Sequence, residues 1–398
     1  MSEWLAALGL TQKRVPEESL PALLDLGKAQ PDVREAILPV LGERGLWLAA
    51  QSPDWDYALG GDDAAAWQTG SLPIRLMLLQ KLRRSDTTRA RELMASTWPT
   101  DAPDERTAFL AACAINLGTD DEPFLEAALD DRRKEVRRMA ADLLAQLPES
   151  RLCGRMLDRL RPLLTLTRGL KPNIEVTLPA ECDKGMLRDG VEPKPPSGMG
   201  EKAWWLQQIL GAVPPSIWSQ TWRTSPKDLV QAAGRGEWRM MLLQGWAVAA
   251  MRQRDTEWIE ALLADFLAHN ELAQAQPAFE GLDDSRKEAF VLSLLHSNPS
   301  LQPMQLAYHF LLRCRHPWSV ALSRAVLDSL QRHTSNGDIG PQFGWSPFLL
   351  EVARYMNPEL IAEAESRLHE AAVSGIDAID NFLNLLRFRY DMLKEIQP

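Results

Sequence analysis

Residues 124–147 constrain the fold most strongly, because they combine two amphipathic helices with one short acidic turn. In the second helix, apolar residues recur three or four positions apart and so share one face. These residues are Val136, Met139, Ala140, Leu143, Leu144 and Leu147. Asp130 and Asp131 stand where the turn ends, and we expect their carboxylates to accept hydrogen bonds from unpaired amides at the helix start. The stretch predicts a helical hairpin.

This hairpin resembles a HEAT-type repeat. It has the acidic turn, a Val-Arg pair at 136–137, and the small residues Ala140 and Ala141 where a neighbouring helix must approach closely. A related turn, Pro-Asp-Val-Arg, occupies residues 31–34. Such repeats stack into α-solenoids, whose usual role is to hold partners. We therefore predict an all-α fold, a HEAT-like α-solenoid of stacked helical hairpins with one irregular insertion that contains a short β element.

Helical periodicity continues on both sides of this hairpin. Apolar patterns predict helices at 20–26, 33–40, 74–82, 89–98, 109–117 and 379–396 and a further hairpin at 238–267. Proline is expected in the first turn of helices, where its missing amide costs little, at Pro21, Pro31, Pro73 and Pro103. Two segments, Ser225 to Asp228 and Ser285 to Glu288, fit the capping-box pattern.

The pattern changes in the middle of the chain. Residues 168–200 contain five prolines and five glycines, too many for a continuous helix. Residues 174–178 alternate apolar and polar side chains, which favours a short strand or hairpin. The segment is either a flexible linker or, as its apolar residues and mixed charges favour, an ordered excursion over the solenoid. The predicted division is N-terminal repeats at 1–165, the excursion at 166–203 and C-terminal repeats at 204–398.

Composition limits the class of protein. The chain has 398 residues, 45% of them hydrophobic, and a formal net charge of −10, which argues against a dedicated nucleic-acid binder. No apolar run approaches the ~20 residues that cross a bilayer, and the N-terminus lacks the basic region of a secretory signal. The four scattered cysteines are expected to be reduced thiols. We expect a cytoplasmic protein that does not enter membranes.

Tryptophan is unusually common, with fourteen tryptophans against four tyrosines. One interpretation is that tryptophan fills the gaps between stacked helices. The other is an aromatic groove that docks a partner peptide.

We find no pattern typical of a catalytic site or cofactor site. The sequence has no Gly-rich phosphate loop. His309, Cys314 and His316 are close in sequence, but they would point to different faces of a helix, so no metal is expected. The acidic pairs at 62–63, 120–121, 130–131 and 283–284 precede helices, and capping explains them better than acid–base catalysis. We expect no enzyme and no cofactor.

A basic run is the strongest candidate for a binding surface. Between residues 131 and 175, eleven basic residues stand against six acidic ones. Arginines at successive helix starts could form a ladder that meets phosphate, nucleic acid or an acidic protein. The alternative is a solvated face that pairs with the turn aspartates. The candidates here are Arg132, Arg133, Lys134, Arg137 and Arg138.

Several blocks resemble a bacterial family known only as a domain of unknown function. They are residues 182–190, 194–198 and 200–210, together with 44–55 and 67–83. Members are often encoded beside MoxR-type AAA+ ATPases, von Willebrand A-domain proteins and SWIM zinc-finger proteins. The resemblance implies a helper of such an ATPase system and supplies no catalytic residues. It adds candidates for a partner surface, which are Lys184, Arg188, Asp189, Lys202, Trp204 and Trp205. Both tryptophans could instead pack the excursion onto the solenoid.

The sequence therefore predicts a non-enzymatic scaffold or adaptor that binds a protein, with an AAA+ ATPase or its von Willebrand A partner as the implied candidate. Arginines would steer the partner and aromatic side chains would anchor it. The alternative is a nucleic-acid-binding or base-repair protein on the same type of scaffold, which requires a continuous positive groove.

Overall fold

The fold was analysed in a computed structural model, which describes residues 2–11, 15–58, 63–234, 236–339, 345–373 and 376–396. The described chain is helical apart from turns and one two-stranded hairpin. The predicted fold class, all-α with a minor β insertion, is confirmed. Each described helix is too short or too polar to span a bilayer.

The helices follow one another with short connections. The N-terminal ones are α1 (Ser2–Thr11), α2 (Leu20–Ala29) and α3 (Arg34–Ala49). The next are α4 (Asp63–Thr69), α5 (Leu72–Ser85), α6 (Thr87–Thr97), α7 (Pro103–Ala112), α8 (Glu122–Ala128), α9 (Lys134–Leu144) and α10 (Arg151–Leu160). Strands β1 (Leu164–Thr167) and β2 (Asn173–Val176) precede α11 (Lys184–Arg188).

The second half contains longer helices. They are α12 (Glu201–Gly211), α13 (Ser216–Trp222), α14 (Pro226–Ala233), α15 (Arg239–Gln253), α16 (Thr256–Ala268) and α17 (Leu272–Glu280). The last are α18 (Asp284–Ser297), α19 (Leu306–Leu311), α20 (Val320–Ser335), α21 (Trp345–Tyr355), α22 (Ile361–Val373) and α23 (Asp377–Ile396). The four prolines expected in first turns all occupy the start of a helix or 3₁₀ turn.

Contacts divide the chain into two compact units. The continuous unit comprises Asp62–Leu282, and the discontinuous unit comprises Met1–Gly61 with Asp283–Pro398. The predicted boundaries at 165 and 203 both lie within the continuous unit, and the predicted division there stays a prediction. Burial of apolar side chains across helix layers, rather than the Pro/Gly content of a segment, decides which residues pack together.

The continuous unit is built of stacked helices. Helices contact their neighbours in sequence or the next but one, as in the pairs α5–α7, α7–α9, α10–α12 and α14–α16, and α12 also packs against α15. The predicted hairpins are present as α8–α9 and α15–α16. Helices α12 and α15 approach closely because Gly245 has no side chain, and a β-carbon there would lie 2.8 Å from Leu210 Cδ2. This arrangement of successive layers is typical of α-solenoids.

The Pro/Gly-rich segment begins with a hairpin. Strands β1 and β2 pair antiparallel, with Leu164 opposite Val176 and Thr167 opposite Asn173. Ile174 is buried, and β2 contacts α14. The expected strand at 174–178 is therefore confirmed with a shift of one or two residues, whereas β1 had no distinct signal in the sequence.

Helix α7 differs from its expected range of 109–117. It begins at Pro103, where the Glu105 carboxylate accepts a hydrogen bond from the Ala102 amide at 3.0 Å. It ends at Ala112 because the buried Arg83 guanidinium donates to the carbonyls of Cys113 (3.0 Å) and Asn116 (2.9 Å). These carbonyls lie just beyond the helix C-terminus, where intrahelical partners are lacking.

The capping box expected at 285–288 is wrong. Helix α18 is capped by Asp283, whose Oδ1 accepts a hydrogen bond from the Arg286 amide at 2.9 Å. Glu288 is buried instead, and its Oε1 lies 3.1 Å from His316 Nε2 and accepts a hydrogen bond from the Ser319 amide at 3.0 Å. Because the Glu288 carboxylate is buried, it needs hydrogen-bond partners, and His316 and the Ser319 amide at the start of α20 provide them. A capping box would leave this carboxylate at the surface. At 225–228, Ser225 caps α14 as expected.

The acidic pairs have several roles. Asp283 acts as a cap, and Asp131 Oδ1 accepts a hydrogen bond from the Arg133 amide at 2.8 Å. Asp121 contacts the Gly118 amide at 3.0 Å, but it also forms a buried bidentate ion pair with Arg83. Capping therefore explains only part of the Asp121 environment. Asp62 lies outside the described residues.

Helices from both ends of the chain meet in the discontinuous unit. The Arg389 guanidinium on α23 donates to both Glu3 carboxylate oxygens, at 3.0 and 2.7 Å. The same group donates to the carbonyls of Ala353 (2.6 Å) and Met356 (2.7 Å) at the end of α21. Arg389 thus joins α1, α21 and α23.

Candidate partner-binding site

Asp189 joins the Pro/Gly-rich segment to α10. It is 2% exposed, and its carboxylate accepts hydrogen bonds from Arg155 (3.1 and 2.8 Å) and from Arg159 (2.7 Å). Arg155 also donates to Glu126 on α8 at 3.0 Å. A buried carboxylate is tolerated only when cations or donors surround it. Asp189 is therefore an internal anchor of the segment.

Arg188 makes a second link to the same layer. Its guanidinium donates to both Asp130 carboxylate oxygens, at 2.6 and 3.0 Å, and to the Glu126 carbonyl at 3.3 Å. The hydrogen bond from Arg188 lowers the pKa of the Asp130 carboxyl below its ordinary value. Arg188 and Asp130 are thus engaged with each other.

Residues 190–193 lie against α9 and α12. Gly190 has a φ of +84°, and the backbone passes next to Ala141 on α9. The Glu192 amide donates to Gln208 Oε1 at 2.8 Å, and Gln208 Nε2 donates back to the Glu192 carbonyl at 3.0 Å. The Trp205 indole donates to the Pro193 carbonyl at 2.9 Å. These bonds hold the segment as one wall of a cavity.

A cavity of about 220 Å³ lies between this wall and the helices α9, α10, α12 and α15. Helix α12 lines it with Trp204, Gln207, Gln208 and Gly211. Their spacing of three, four and seven positions puts them on one face of the helix. The cavity therefore lies over a continuous helical face and not over a loop.

Apolar side chains and paired charges complete the cavity. Leu152 and Met156 of α10 and Val248 of α15 line it. Arg252 pairs with Asp142 and donates to the Gly211 carbonyl at 2.7 Å. At the rim, Arg138 donates to Glu192 at 3.0 Å. Each carboxylate that lines the cavity therefore has a guanidinium partner.

Two polar atoms beside the cavity are unsatisfied. Trp204 Nε1 and Gln207 Oε1 are buried and have no hydrogen-bond partner. Both residues belong to the α12 face that lines the cavity. Buried donors and acceptors normally find partners, because an unmade hydrogen bond costs about 1–3 kcal/mol. Both atoms are enclosed by the surrounding protein, so they remain unpaired in this packing.

Part of the basic run is neutralised within the protein. Arg138, Arg151, Arg155, Arg159 and Arg161 form ion pairs with carboxylates. Arg137 instead donates to the backbone carbonyls of residues 131 and 132, at 2.8 and 3.1 Å. The pairing is intramolecular, but its carboxylates belong to other residues than the turn aspartates considered for the sequence.

Three cations at the start of α9 remain exposed. Arg132 and Arg133 form no ion pair with any described residue. The Lys134 ammonium has a weak contact with the adjacent Glu135 carboxylate, with Nζ and Oε1 3.9 Å apart. Lys134 is seven positions before Ala141, on the row that continues through Arg138 to the cavity. Lys134 and the cavity thus share one side of α9.

The structure brings some of the sequence candidates together. Arg138, Asp189 and Trp204 line the cavity, and Trp205 fixes its wall. Lys134 lies one turn of α9 before Arg138, and Arg132 and Arg133 directly precede that helix. Lys184 on α11 and Lys202 on α12 are exposed. Gln207, Gln208 and Arg252 were missed. The polar spacing along α12 could have indicated the two glutamines, whereas the pair of Arg252 with Asp142 joins residues 110 positions apart.

The other chemical candidates are accounted for by packing. Cys314 is buried, and its thiol contacts the Phe310 carbonyl at 3.6 Å. His316 contacts Asp284 and Glu288, at 3.1 Å in each case. Among the described residues, no group of three or more His, Cys, Asp or Glu side chains could hold a metal ion.

The fold and this surface define an all-α protein of stacked helical pairs with a small cavity beside an exposed basic helix start. The chain belongs to the family of unknown function DUF5691, whose model matches residues 1–396. No curated protein and no solved structure matches it. The family match extends over almost the whole chain, beyond the blocks that carry the resemblance in the sequence.

Proposed function

We propose that the protein is a non-enzymatic helical scaffold that binds an acidic segment of a protein partner at the start of α9. The observation that carries this proposal is the cluster of exposed cations Arg132, Arg133 and Lys134, whereas the arginines of the following helix α10 are paired with carboxylates. Such a cluster attracts a complementary acidic surface and orients it during encounter. The AAA+ ATPase or von Willebrand A-domain protein implied by the family resemblance is the first partner to test.

The size of the cluster favours a protein over nucleic acid. A protein that grips DNA commonly neutralises about 6–10 phosphates along a continuous track. Here Arg151, Arg155 and Arg159, which would extend the track, are bonded to carboxylates. A short cationic patch next to a cavity suits a segment that combines acidic and apolar residues.

The pairing of charges in the cavity favours binding over catalysis. A general base needs a carboxylate or imidazole that is free to take a proton from a substrate. Asp142, Asp189 and Glu192 each have an arginine partner. Two buried thiols are equally unsuited to act as nucleophiles, because burial raises the pKa of Cys113 and of Cys314 to about 12.

The test is a pull-down from untreated and nuclease-treated lysate at two salt concentrations, with the native protein and the triple variant R132E/R133E/K134E. We expect a protein partner whose recovery falls by ~10-fold or more in this variant, because attraction is replaced by repulsion. The matched control is K171E/R223E/K227E, which changes the charge equally at exposed cations elsewhere in the same unit. Equal recovery with both variants would refute the proposal, as would recovery of material that nuclease removes.

A further inference from the structure

The turn between α6 and α7 lies beside the start of α9. Arg106 on α7 connects the two, because its guanidinium Cζ lies 5.8 Å from the centre of the Trp98 ring. Its Nε forms an ion pair with Asp131 Oδ2 at 3.1 Å, without a hydrogen bond. Asp131 Oδ1 in turn accepts a hydrogen bond from the Arg133 amide at 2.8 Å. With ordinary bond lengths between these contacts, the Trp98 ring lies within about 15 Å of the Arg133 amide.

Trp98 and Phe124 form a small aromatic platform at this place. The two rings pack edge to face, with their centres 4.9 Å apart and their planes at 71°. Both side chains are only partly buried, and the next residues of the turn, Pro99 and Thr100, are exposed. Part of the platform therefore faces solvent on the surface that also carries the cations at the start of α9.

The surface between the platform and these cations has no free negative charge from the α8–α9 turn. Asp131 is paired with Arg106, and the side chains of the two residues are only 8% and 16% exposed. Asp130 is held by Arg188 at 2.6 Å. The free charge that remains beside the platform is that of Arg132 to Lys134, so the carboxylates of a partner are attracted here and meet no unpaired aspartate of the turn.

A tryptophan beside arginines is the composition that protein interfaces use for their strongest contacts. The Trp98 ring is already held by Phe124 and Arg106, so covering it removes apolar surface from water at a small cost in side-chain ordering. An extended chain spans about 15 Å in four or five residues. The matching ligand is thus a polypeptide segment with acidic residues within about five positions of a large apolar residue.

We propose that Trp98 and Phe124 are the apolar half of the partner-binding site. The acidic segment places one large apolar or aromatic side chain on Trp98, while its carboxylates lie against Arg132, Arg133 and Lys134. This inference rests on the proposed function, and it adds a second contact surface and the sequence pattern of the partner.

The first test selects peptides from a random twelve-residue phage-displayed library on the immobilised full chain. We expect enriched peptides with two or more acidic residues and a leucine, methionine, phenylalanine or tryptophan within about five positions of them. A parallel selection on R132E/R133E/K134E should not enrich these peptides, because the charge that attracts their carboxylates is reversed.

Variants of the aromatic platform then test the apolar contact with the most enriched peptide. Trp98→Ala should weaken its binding by about tenfold or more, as expected for a tryptophan at the centre of a contact. Trp98→Phe keeps a ring against Phe124 and should weaken binding by a smaller factor, about threefold. Trp222→Ala is the matched control and should leave the affinity unchanged. Trp222 is also partly buried and packs on an aromatic ring, that of Trp218, with the ring centres again 4.9 Å apart, but it lies on α13.

Thermal unfolding of each variant shows whether it is folded, and Trp98→Phe decides the question if Trp98→Ala is not. Acidic peptides without a shared apolar position, or affinities unaffected by Trp98→Phe and by a folded Trp98→Ala, would refute the inference and leave the proposed function standing. Enriched peptides without acidic residues that bind R132E/R133E/K134E as well as the native chain would refute the proposed function. Failure to enrich any peptide counts against the inference, because so short a pattern is present in such a library.

Discussion

Gly190 passes so close to Ala141 that a β-carbon on Gly190 would lie 2.6 Å from Ala141 Cβ. The backbone of Gly190 also has a φ of +84°, a region that side chains disfavour. The contact joins the segment before α12 to the middle of α9. Two independent requirements therefore select glycine at this position, and together they fix the wall of the cavity.

Gly190→Ala should loosen this wall. Overpacking costs about 1–3 kcal/mol and the positive φ costs about 1–2 kcal/mol more, so we expect the free energy of opening of this segment to fall by ~2–5 kcal/mol. The measurement is hydrogen exchange at the Glu192 amide, which bonds to Gln208. Gly198→Ala is the matched control, because Gly198 has a φ of +90° and no neighbour within 4 Å.

The steric part of this effect can be isolated by a compensating change. Adding Ala141→Gly to Gly190→Ala removes the contact but leaves the positive φ. In the double variant we expect the Glu192 amide to regain part of its protection from hydrogen exchange. The recovery is partial because the positive φ remains and because glycine inside a helix costs ~1 kcal/mol. If Gly190→Ala is as mild as Gly198→Ala, the close approach to Ala141 is incorrect.

Asp189→Asn should release the same segment from α10. The change removes the counter-charge of Arg155 and Arg159, whose side chains are 33% and 23% exposed. Breaking a fully buried pair costs about 3–5 kcal/mol, and partial exposure reduces our expectation to ~2–4 kcal/mol. The free energy of unfolding in urea checks this value. Glu192→Gln is the control, since its pair with Arg138 is exposed and should contribute about 0–1 kcal/mol.

The pair of Arg83 with Asp121 should make the protein sensitive to acid. Burial by itself would raise the pKa of the Asp121 carboxyl, but hydrogen bonds from Arg83 and the Gly118 amide outweigh burial and lower that pKa. The ionised Asp121 carboxylate stabilises the protein fully above the pKa that it has in the unfolded chain, near 3.8. This stabilisation is lost as pH falls through the lower pKa that Asp121 has in the folded protein.

Asp121→Asn tests this dependence directly. The variant should be less stable than the native protein at pH 7, and the difference should narrow as pH falls below about 4. Urea unfolding at a series of pH values provides the measurement. A difference that stays constant down to pH 2 would show that the Asp121 charge makes no contribution.

Local periodicity predicted the fold well because helix formation depends on neighbouring residues. The hairpin at 124–147 appears as α8 and α9, and the final helix begins within two residues of its expected start. The errors occur where tertiary contacts override local patterns. Helix α7 ends where Arg83 donates hydrogen bonds to carbonyls about 30 residues away in sequence. Glu288 contacts His316 instead of taking part in the predicted capping box.

The candidate site was only partly visible in the sequence for the same reason. Asp189 and Trp205 became candidates through the family resemblance, yet both are buried, and they hold the segment in place. Charge counting located the basic run, but it could not show which arginines are neutralised. That required the positions of Glu126 and Asp189, which approach Arg155 only after the layers stack.

The thiols provide a further test of how the segment packs. Cys113, Cys153 and Cys314 are at most 2% exposed, and burial raises the pKa of each thiol. Cys182, just before α11, is only partly buried, although burial and the neighbouring Asp183 raise its pKa as well. At pH 8 we expect a disulfide reagent to modify one thiol of the native protein slowly and all four after unfolding.

Cys182→Ser should abolish the native reaction and leave three thiols reactive in denaturant. The rate at Cys182 should keep rising above pH 9, because only the thiolate reacts and its pKa lies above the ordinary value of 9.0. Gly190→Ala should speed the reaction at Cys182 if the residues around α11 detach together with the cavity wall. Rapid modification of Cys113 or Cys314 in the native protein would instead contradict the packing of the helices that bury them.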